Sequence, residues 1–144
     1  MTEASILAEL TDRLEIRELT ARYNRASDTG DGEGFAATFT ADGALVMAGK
    51  TLCTGSAELV AFAGKPRGTV HATTDPVLSL NGDEATQECT LLLFRKARDG
   101  SSVRLENTGR YEDELVRTQD GWRFRRRSVL FDANPPSTSA ATTA

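Results

Sequence analysis

The only histidine of the chain, His71, is the side chain best suited to proton transfer near neutral pH. It lies early in a predicted strand. His71, Thr73 and Asp75 share one face of this strand, and the residues between them, Ala72 and Thr74, share the other. Periodicity does not tell which of these faces points inward. His71 is therefore either a proton-transfer group that lines a pocket or a surface or satisfied core histidine.

Two further side chains, Asp28 and Tyr23, could act together with His71. Asp28 ends the first predicted helix, where a carboxylate meets the unfavourable end of the helix dipole. It is either a turn-forming surface residue or an inward residue that orients His71 and stabilises its imidazolium. Tyr23 is either a core aromatic or a phenol that donates to a substrate oxygen. Five residues turn a helix by about 140°, so the two share a face only if the helix frays near Ser27.

Four other residues are candidates for substrate binding. Asn107 shares a strand face with Tyr111 and is either a pocket-lining donor or a solvent-facing residue near a bulge. Arg127 either binds an anionic or electron-rich substrate group or is a solvated member of an arginine-rich strand, and its arginine neighbours favour the second interpretation. Phe39 and Tyr111 are candidates for the aromatic lining of the pocket.

The composition excludes several classes of protein. The chain has 144 residues, which suits one domain, with 39% hydrophobic and 26% charged residues. A net charge of -4 argues against nucleic acid as a partner. Cys53 and Cys89 have no CxxC spacing and one histidine cannot complete a zinc site, so we expect no metal, and no motif predicts a cofactor. No long apolar stretch predicts a signal peptide or membrane span, and we expect a cytoplasmic protein.

The first half of the chain is predicted to be mainly helical. Apolar residues at steps of three and four, among them Leu7, Leu10 and Leu14, predict one long helix over residues 2–27. Asp31 is predicted to cap a short helix over residues 33–40, which would place Phe35 and Phe39 one turn apart. A turn at 41–43, a short strand at 44–47 and a loop or hairpin at 49–55 follow. A third helix is predicted at 56–64, with Ser56 as its N-cap.

The second half is predicted to be a meander of long strands over residues 69–80, 84–96, 103–117 and 122–132. Short turns join them, so consecutive strands should pair antiparallel. This order predicts an α+β fold, a cone-shaped curved antiparallel sheet wrapped around the long N-terminal helix with a concave interior suited to a pocket. We expect one domain at 1–132 and a disordered tail at 133–144.

Both ends of the chain resemble a known family. Residues 14–28, with Gly30-Asp31 and the run 39–43, resemble the start of SnoaL-like members of the nuclear transport factor 2-like superfamily. Residues 109–115 and 120–124, with Arg127 shortly after, resemble its last two strands. The resemblance implies a cystatin-like α+β barrel.

Within that superfamily the chain most resembles the branch of scytalone dehydratase, bile-acid 7α-dehydratase and hexachlorocyclohexane dehydrochlorinase. These enzymes pair an Asp at the end of the first long helix with a His in the strand after the third helix, and Asp28 and His71 fall at those places. Tyr23 matches the tyrosine of the dehydratase pattern, and Arg127 matches the arginine of the dehydrochlorinase pattern. The second histidine of scytalone dehydratase has no counterpart, so we do not expect the same substrate.

The resemblance implies a cofactor-independent lyase or isomerase, in which His71 and Asp28 abstract a proton from a small, largely apolar cyclic molecule. One alternative is a SnoaL-type polyketide cyclase that depends on Asp28 or Asp75. The other is a non-enzymatic module for small-ligand binding or assembly. No nucleic-acid or membrane partner is expected. Because the outer face of a curled sheet is partly apolar, we expect a homodimer or, second, a homotrimer.

Overall fold

The computed structural model describes residues 1–134, which form three helices and six strands. The helices are α1 (Glu3–Thr29), α2 (Gly32–Ala36) and α3 (Ser56–Ala63), and the strands are β1 (Phe39–Met47), β2 (Lys50–Thr54), β3 (Thr69–Asn81), β4 (Glu84–Lys96), β5 (Val103–Thr118) and β6 (Gly121–Phe131). Most of the tail that the sequence predicts to be disordered, residues 135–144, lies outside the described residues. No helix within residues 1–134 is long and apolar enough to cross a membrane.

The strands form one curved sheet in the order β2-β1-β6-β5-β4-β3. The four long strands pair antiparallel with their sequence neighbours, as predicted. The predicted curved antiparallel sheet also contains one parallel pair, because β1 runs parallel to β6. A short turn forces antiparallel pairing, but β1 reaches β6 only through the rest of the chain and is free of that constraint. β2 and β3 remain as edges, so the sheet is open and the barrel is not closed.

Helix α1 lies across the concave face of the sheet and buries one apolar stripe there. Ile16, Leu19, Tyr23 and Ala26 belong to this stripe, and all are at most 6% exposed. The other apolar positions that predict the helix, Leu7, Leu10 and Leu14, are not part of this stripe and are 63%, 51% and 66% exposed. Leu10 and Leu19 are nine residues apart, which is about 180° around a helix, so the two stripes face opposite ways.

The second helix is shorter than predicted. Asp31 caps it as expected, and its Oδ1 accepts a hydrogen bond of 2.9 Å from the Gly34 amide. The helix ends at Ala36, however, and Phe39 opens β1 opposite Phe124 of β6. Pairing with the sheet therefore overrides the helical spacing of Phe35 and Phe39. The predicted turn at 41–43 is instead an irregularity inside β1, where the register with β6 shifts.

Smaller differences concern α3 and β3. The N-cap of α3 is Gly55 rather than Ser56, and it makes no side-chain cap hydrogen bond. In β3 the register with β4 shifts between Thr74 and Val77, where Asp75 has a φ of 54°. Pro76 has no amide hydrogen to donate, and a bulge on an edge strand is where a sheet tolerates proline. The strand therefore bends at this point.

One carboxylate of α1 ties the helix to the hairpin of β5 and β6. Asp12 Oδ1 accepts hydrogen bonds from Trp122 Nε1 at 2.9 Å and Arg117 Nη1 at 2.6 Å, and its Oδ2 accepts from Arg117 Nη2 at 3.0 Å. The hydrogen bond from Arg117 lowers the pKa of Asp12 below its ordinary value, although burial opposes this shift. The charged form of Asp12 is thus part of the folded structure.

We predict that Asp12→Asn lowers the free energy of unfolding by about 1–2 kcal/mol at pH 7, since charge-assisted hydrogen bonds are lost and Arg117 is partly exposed. The pKa of Asp12 is lower in the folded state than in the unfolded state. Its charged form therefore stabilises the fold at pH values above the unfolded-state pKa, and this stabilisation is lost as the pH falls into the acid range. The difference should therefore diminish as the pH falls below about 4. Urea unfolding of the wild type and the variant measures it. Asp83→Asn, which removes the exposed partner of the same arginine, is the control, and an equal loss there would contradict the prediction.

Candidate functional site

His71 and Asp28 lie in direct contact at the junction of α1 and β3. His71 Nδ1 is 2.6 Å from Asp28 Oδ1, and the His71 amide donates to the same carboxylate at 3.1 and 3.0 Å. The Thr69 hydroxyl donates to Asp28 Oδ1 at 3.4 Å. The side chains of His71 and Asp28 are only 15% and 19% exposed. The carboxylate therefore fixes both the backbone and the ring of His71, and leaves Nε2 as the ring nitrogen free to exchange a proton.

Two cavities meet at His71. One, which we call the inner cavity, lies inside the cone and has a volume of about 210 Å³. The other, which we call the groove, lies between α1 and β3 and has a volume of about 380 Å³. His71 lines both, whereas Asp28 lines only the groove and Tyr23 lines only the inner cavity. The imidazole thus stands between two spaces, of which the groove has the more polar lining.

The inner cavity is mainly apolar, with Leu45, Leu91 and Val129 in its wall, and it holds two phenols. Tyr23 and Tyr111 are 3% and 1% exposed, and their rings meet edge to face with centroids 5.6 Å apart. Burial raises the pKa of Tyr23 to about 12, although the nearby Arg127 charge and the Tyr111 hydroxyl oppose the rise. Burial also raises the pKa of Tyr111. Both hydroxyls therefore keep their protons at neutral pH and can donate hydrogen bonds.

The groove is lined by polar side chains of α1 and β4 together with the bent part of β3. Thr20, Asn24 and Asp28 follow one another at four-residue steps and so form one stripe of α1. Gln87 of β4 and Asp75 of β3 also line this space. The groove therefore offers hydrogen-bonding groups where the inner cavity offers mostly hydrocarbon.

The regular path of α1 explains why Tyr23 and Asp28 face different cavities. The helix continues to Thr29 and ends at Gly30, which has a φ of 76° and needs the left-handed region that glycine tolerates. The helix does not fray at Ser27, so the turn of about 140° between the two side chains is kept. His71 reaches both cavities because it comes from the strand that crosses the end of the helix.

Arg127 is buried, so the interpretation of this residue as a solvated member of the strand is wrong. It is 0% exposed, and its guanidinium lies 4.3 Å from the Tyr23 ring centroid and 3.5 Å from that of Tyr111. Its Nε is 3.1 Å from Asp113 Oδ1, close enough for charge attraction but without the angle of a hydrogen bond. Arg127 lines neither cavity, so its guanidinium packs against the two tyrosine rings without facing the space for a ligand.

Asp113 completes a buried polar cluster around Arg127. Asp113 stands directly opposite Arg127 in the ladder of β5 and β6 and is 3% exposed. Gln87 Nε2 donates to Asp113 Oδ2 at 3.0 Å and to the Thr20 hydroxyl at 3.1 Å. Burial raises the pKa of Asp113, and the Arg127 charge opposes that rise.

The two other predicted binding residues lie away from both cavities. Phe39 is 5% exposed and packs against the rings of Tyr23, Phe35 and Phe124, so it supports the wall rather than forming it. The Asn107 side chain donates to the Ala133 carbonyl at 2.9 Å and accepts from the Ala133 amide at 3.2 Å. Asn107 thus holds the segment after β6 and does not face a ligand space.

Sequence reasoning missed Asn24, Gln87 and Asp113. Gln87 and Asp113 are polar residues whose neighbours two positions away on the strand are buried, and this mismatch is the signal that could have found them. Asn24 lies between Thr20 and Asp28 on its helix stripe and gave no such signal. Cys89 is buried, at 3% exposed. Burial raises the pKa of Cys89 to about 11, so its thiol is not poised as a nucleophile. Within residues 1–134, His, Cys, Asp and Glu form no group of three suited to a metal ion.

We predict that Arg127→Met lowers the free energy of unfolding by about 3–5 kcal/mol, because it leaves the Asp113 carboxylate buried without its cation. Urea unfolding measures the loss, and Arg126→Met on the exposed neighbouring position is the matched control, with an effect of about 0.5 kcal/mol or less. The double variant Arg127→Met/Asp113→Leu should recover part of the loss. Equal losses in the variants at 126 and 127 would contradict the prediction.

Solved structures share this architecture. A nuclear transport factor 2-like protein with a cystatin-like fold from Novosphingobium aromaticivorans is 28% identical with a TM-score of 0.81, over 96% of this chain and 92% of that one. A protein of unknown function from Mycobacterium tuberculosis is 28% identical with a TM-score of 0.79, over 96% and 80%. A candidate scytalone dehydratase from Novosphingobium aromaticivorans is 20% identical with a TM-score of 0.72, over 90% and 92%, a likeness of fold alone.

None of the curated proteins matches the chain at a significant level. The SnoaL-like domain family, by contrast, matches residues 8–128, a span that contains α2, α3, β1 to β5 and the parts of α1 and β6 that form the cone. The resemblance recognised at both ends of the sequence is thereby confirmed, and the chain belongs to the SnoaL-like domain family.

Proposed function

We propose that this protein is a cofactor-independent lyase or isomerase in which His71 removes a proton from carbon in a small, largely apolar cyclic substrate. The observation that carries the proposal is the contact of 2.6 Å between His71 Nδ1 and Asp28 Oδ1 at the boundary of two cavities. A histidine that is merely packed in a core needs no carboxylate partner and no adjoining space.

Asp28 is proposed to position the base and stabilise its charged form. With Nδ1–H donating to the carboxylate, the lone pair of the neutral ring is on Nε2, and the imidazolium formed by proton uptake is stabilised by the adjacent negative charge. The two hydrogen bonds from the His71 amide hold the carboxylate in place before any substrate binds. This arrangement reduces the reorganisation needed in the reaction.

Tyr23 and Tyr111 are proposed to bind the substrate oxygen on which negative charge develops. Both hydroxyls are protonated donors in the wall of the inner cavity that also contains His71. The buried Arg127 guanidinium behind the rings adds positive potential to the same region. Preorganised donors of this kind stabilise a transition state strongly because they need no rearrangement as the charge appears.

The chemistry balances without an added reagent. Nε2 of His71 takes a proton from the carbon next to a carbonyl, the electrons of the broken C–H bond form a C=C bond, and the carbonyl oxygen becomes an enolate that accepts from Tyr23 or Tyr111. His71 then returns the proton to another carbon in an isomerisation. In a dehydration it gives the proton to a departing β-hydroxyl. The enolate oxygen restores the carbonyl, the electrons of the enolate C=C bond form a new C=C bond between the α and β carbons, the β C–O bond breaks, and water leaves.

The lining of the inner cavity favours an apolar ring as substrate. Leu45, Leu91 and Val129 offer hydrocarbon surface, and Phe62 stacks below the Arg67 guanidinium at 4.2 Å. The two cavities and the carboxylate partner of His71 also disfavour a pure assembly module, which needs neither. The candidate scytalone dehydratase among the similar structures agrees with this class of reaction through its fold.

A SnoaL-type cyclase is the second candidate, and Asp75 is the residue that favours it. Asp75 lines the groove beside His71 and has a φ of 54°, which is uncommon for a residue other than glycine. Backbone strain of this kind is concentrated at functional sites. In a cyclase, a carboxylate such as Asp75 or Asp28 would move the proton during carbon–carbon bond formation.

We predict that the wild type accelerates exchange of the C2 hydrogens of 1-tetralone for deuterium in D2O, followed by loss of the proton NMR signal. This measurement reports proton abstraction without requiring the natural substrate. His71→Gln should lower the enzymatic rate by about 10²–10⁴. Tyr23→Phe should lower it by about 10-fold or more, since one donor to the developing charge is removed while Tyr111 remains.

The matched control for Asp28→Asn is Asp120→Asn, which alters an exposed carboxylate in the turn before β6. Asp28→Asn should slow exchange, whereas Asp120→Asn should not. Exchange that survives in His71→Gln but is lost in Asp75→Asn would replace the leading proposal with the cyclase. If the wild type did not accelerate deuterium exchange next to the carbonyl of 1-tetralone or of other cyclic ketones, the base-catalysed mechanism would be wrong.

A further inference from the structure

The inner cavity opens toward solvent beside two arginines, Arg67 and Arg95. Along β4, Leu91, Leu93 and Arg95 line this cavity at alternate positions. The two leucines are 0% and 8% exposed, whereas the Arg95 side chain is 35% exposed. Arg67, in the loop between α3 and β3, is also exposed and lines the same cavity. The arginines therefore lie at the open end, and the buried leucines lie deeper in the cone.

Contacts within its own loop hold the Arg67 side chain beside the cavity. Its guanidinium lies 4.2 Å from the centroid of the Phe62 ring, which also lines the cavity, and its Nη2 donates to the Phe62 carbonyl. Arg95 Nη1 donates to the Arg67 carbonyl, and the Lys96 amide donates to the Gly68 carbonyl at 2.8 Å. An arginine has five N–H donors, so most of those of Arg67 remain available after its contact with Phe62.

The charges around this opening do not balance. No Asp or Glu is among the described residues that line the inner cavity. Glu106 Oε2 is 2.9 Å from Arg95 Nη2, but Glu106 Oε1 is also 3.8 Å from Arg104 Nη2, so two arginines share one carboxylate. Glu58, the one acidic residue of α3, accepts from a backbone amide of β2 at 2.6 Å. Within residues 1–134 Arg67 forms no ion pair, so a positive charge remains available to an anion.

The separation between these arginines and His71 suits a single small molecule. In the ladder of β3 and β4, His71 stands opposite Leu93, and Arg95 lies two residues beyond Leu93 on the same face. His71 and Arg95 are therefore diagonal neighbours, about 7–8 Å apart. Both line the inner cavity. A bicyclic substrate whose reacting carbon lies at His71 can thus bring a charged group on its other ring to the arginines.

We infer that Arg67, with Arg95 beside it, is an anion-binding residue at the opening of the inner cavity, and that the substrate is a cyclic molecule that carries a carboxylate. The planar guanidinium can bind both oxygens of a carboxylate at once, which adds orientation to charge attraction. The apolar wall contacts the ring, and the arginines hold its charged end at the opening. The inference deepens the proposed function and rests on it for the location of the reacting carbon.

The test compares a charged ligand with a neutral ligand of nearly the same shape, and it does not depend on turnover. Calorimetric titration gives the dissociation constants of the 5-, 6- and 7-carboxylates of 1-tetralone and of the corresponding carboxamides. At least one carboxylate should bind the wild type about 5–10-fold more tightly than its carboxamide, a moderate ratio because Arg67 is exposed. The ratio should fall as NaCl is added, since salt screens a partly exposed ion pair.

Three variants assign the preference to Arg67. Arg67→Met should lower the ratio to about twofold or less and leave carboxamide binding within about twofold of the wild type. Arg67→Lys, which keeps the charge but not the planar fork, should retain an intermediate ratio. Arg126→Met is the matched control, because it removes an equal charge from an exposed position that does not line the inner cavity, and it should keep the wild-type ratio.

Three outcomes would overturn the inference. The first is equal binding of every carboxylate and its carboxamide in the wild type. The second is a ratio that is unchanged in Arg67→Met, or that falls equally in Arg126→Met, since the overall charge of the protein would then explain it. The third is an equal loss of both ligands in Arg67→Met, which would make Arg67 a structural residue. A carboxylate preference that depends on Arg67 in a protein that does not exchange the C2 hydrogens would leave the inference standing while the proposed reaction failed.

Discussion

The contact on which the rest of the structure depends is the clamp between the carboxylate of Asp28 and the first residues of β3. Asp28 ends a helix that crosses the concave face of the sheet, and it accepts from the His71 amide, the His71 ring and the Thr69 hydroxyl. One side chain therefore joins the end of α1 to an edge strand whose ladder is with β4. The same clamp sets the orientation of the only imidazole in the chain.

The clamp also divides the interior into two chemical environments. Inside the cone, the buried pair of Arg127 and Asp113 lies behind two phenols that are protonated at neutral pH and whose pKa values burial raises further. On the other side of His71, the stripe that contains Asn24 and Asp28 makes the groove polar. A buried ion pair is costly to desolvate and adds little to stability compared with hydrocarbon. We interpret the ion pair behind Tyr23 and Tyr111 as serving the electrostatics of the cavity and not the stability of the fold.

Much of the fold was predictable because its determinants are local. The long helix, the Asp31 cap, the four long strands and their short turns follow from periodicity and turn-forming residues, and the motifs at both ends identified the SnoaL-like family. The errors occur where local spacing competes with sheet pairing. Phe39 has helical spacing from Phe35 but pairs with Phe124, and β1 runs parallel to β6, which no turn in the sequence dictates.

The sequence by itself determined which chemistry was available: one imidazole, a carboxylate at the end of a helix and a phenol five residues before it. It could not determine their distances, because His71 and Asp28 are 43 residues apart and meet only when the edge strand crosses the helix end. Only the tertiary structure decided that Tyr23 and Asp28 face different cavities, that Arg127 is buried against Asp113 rather than solvated, and that Asn107 binds the segment after β6. Burial and direction arise from the packing of distant elements, and a residue's own neighbours in the chain do not encode them.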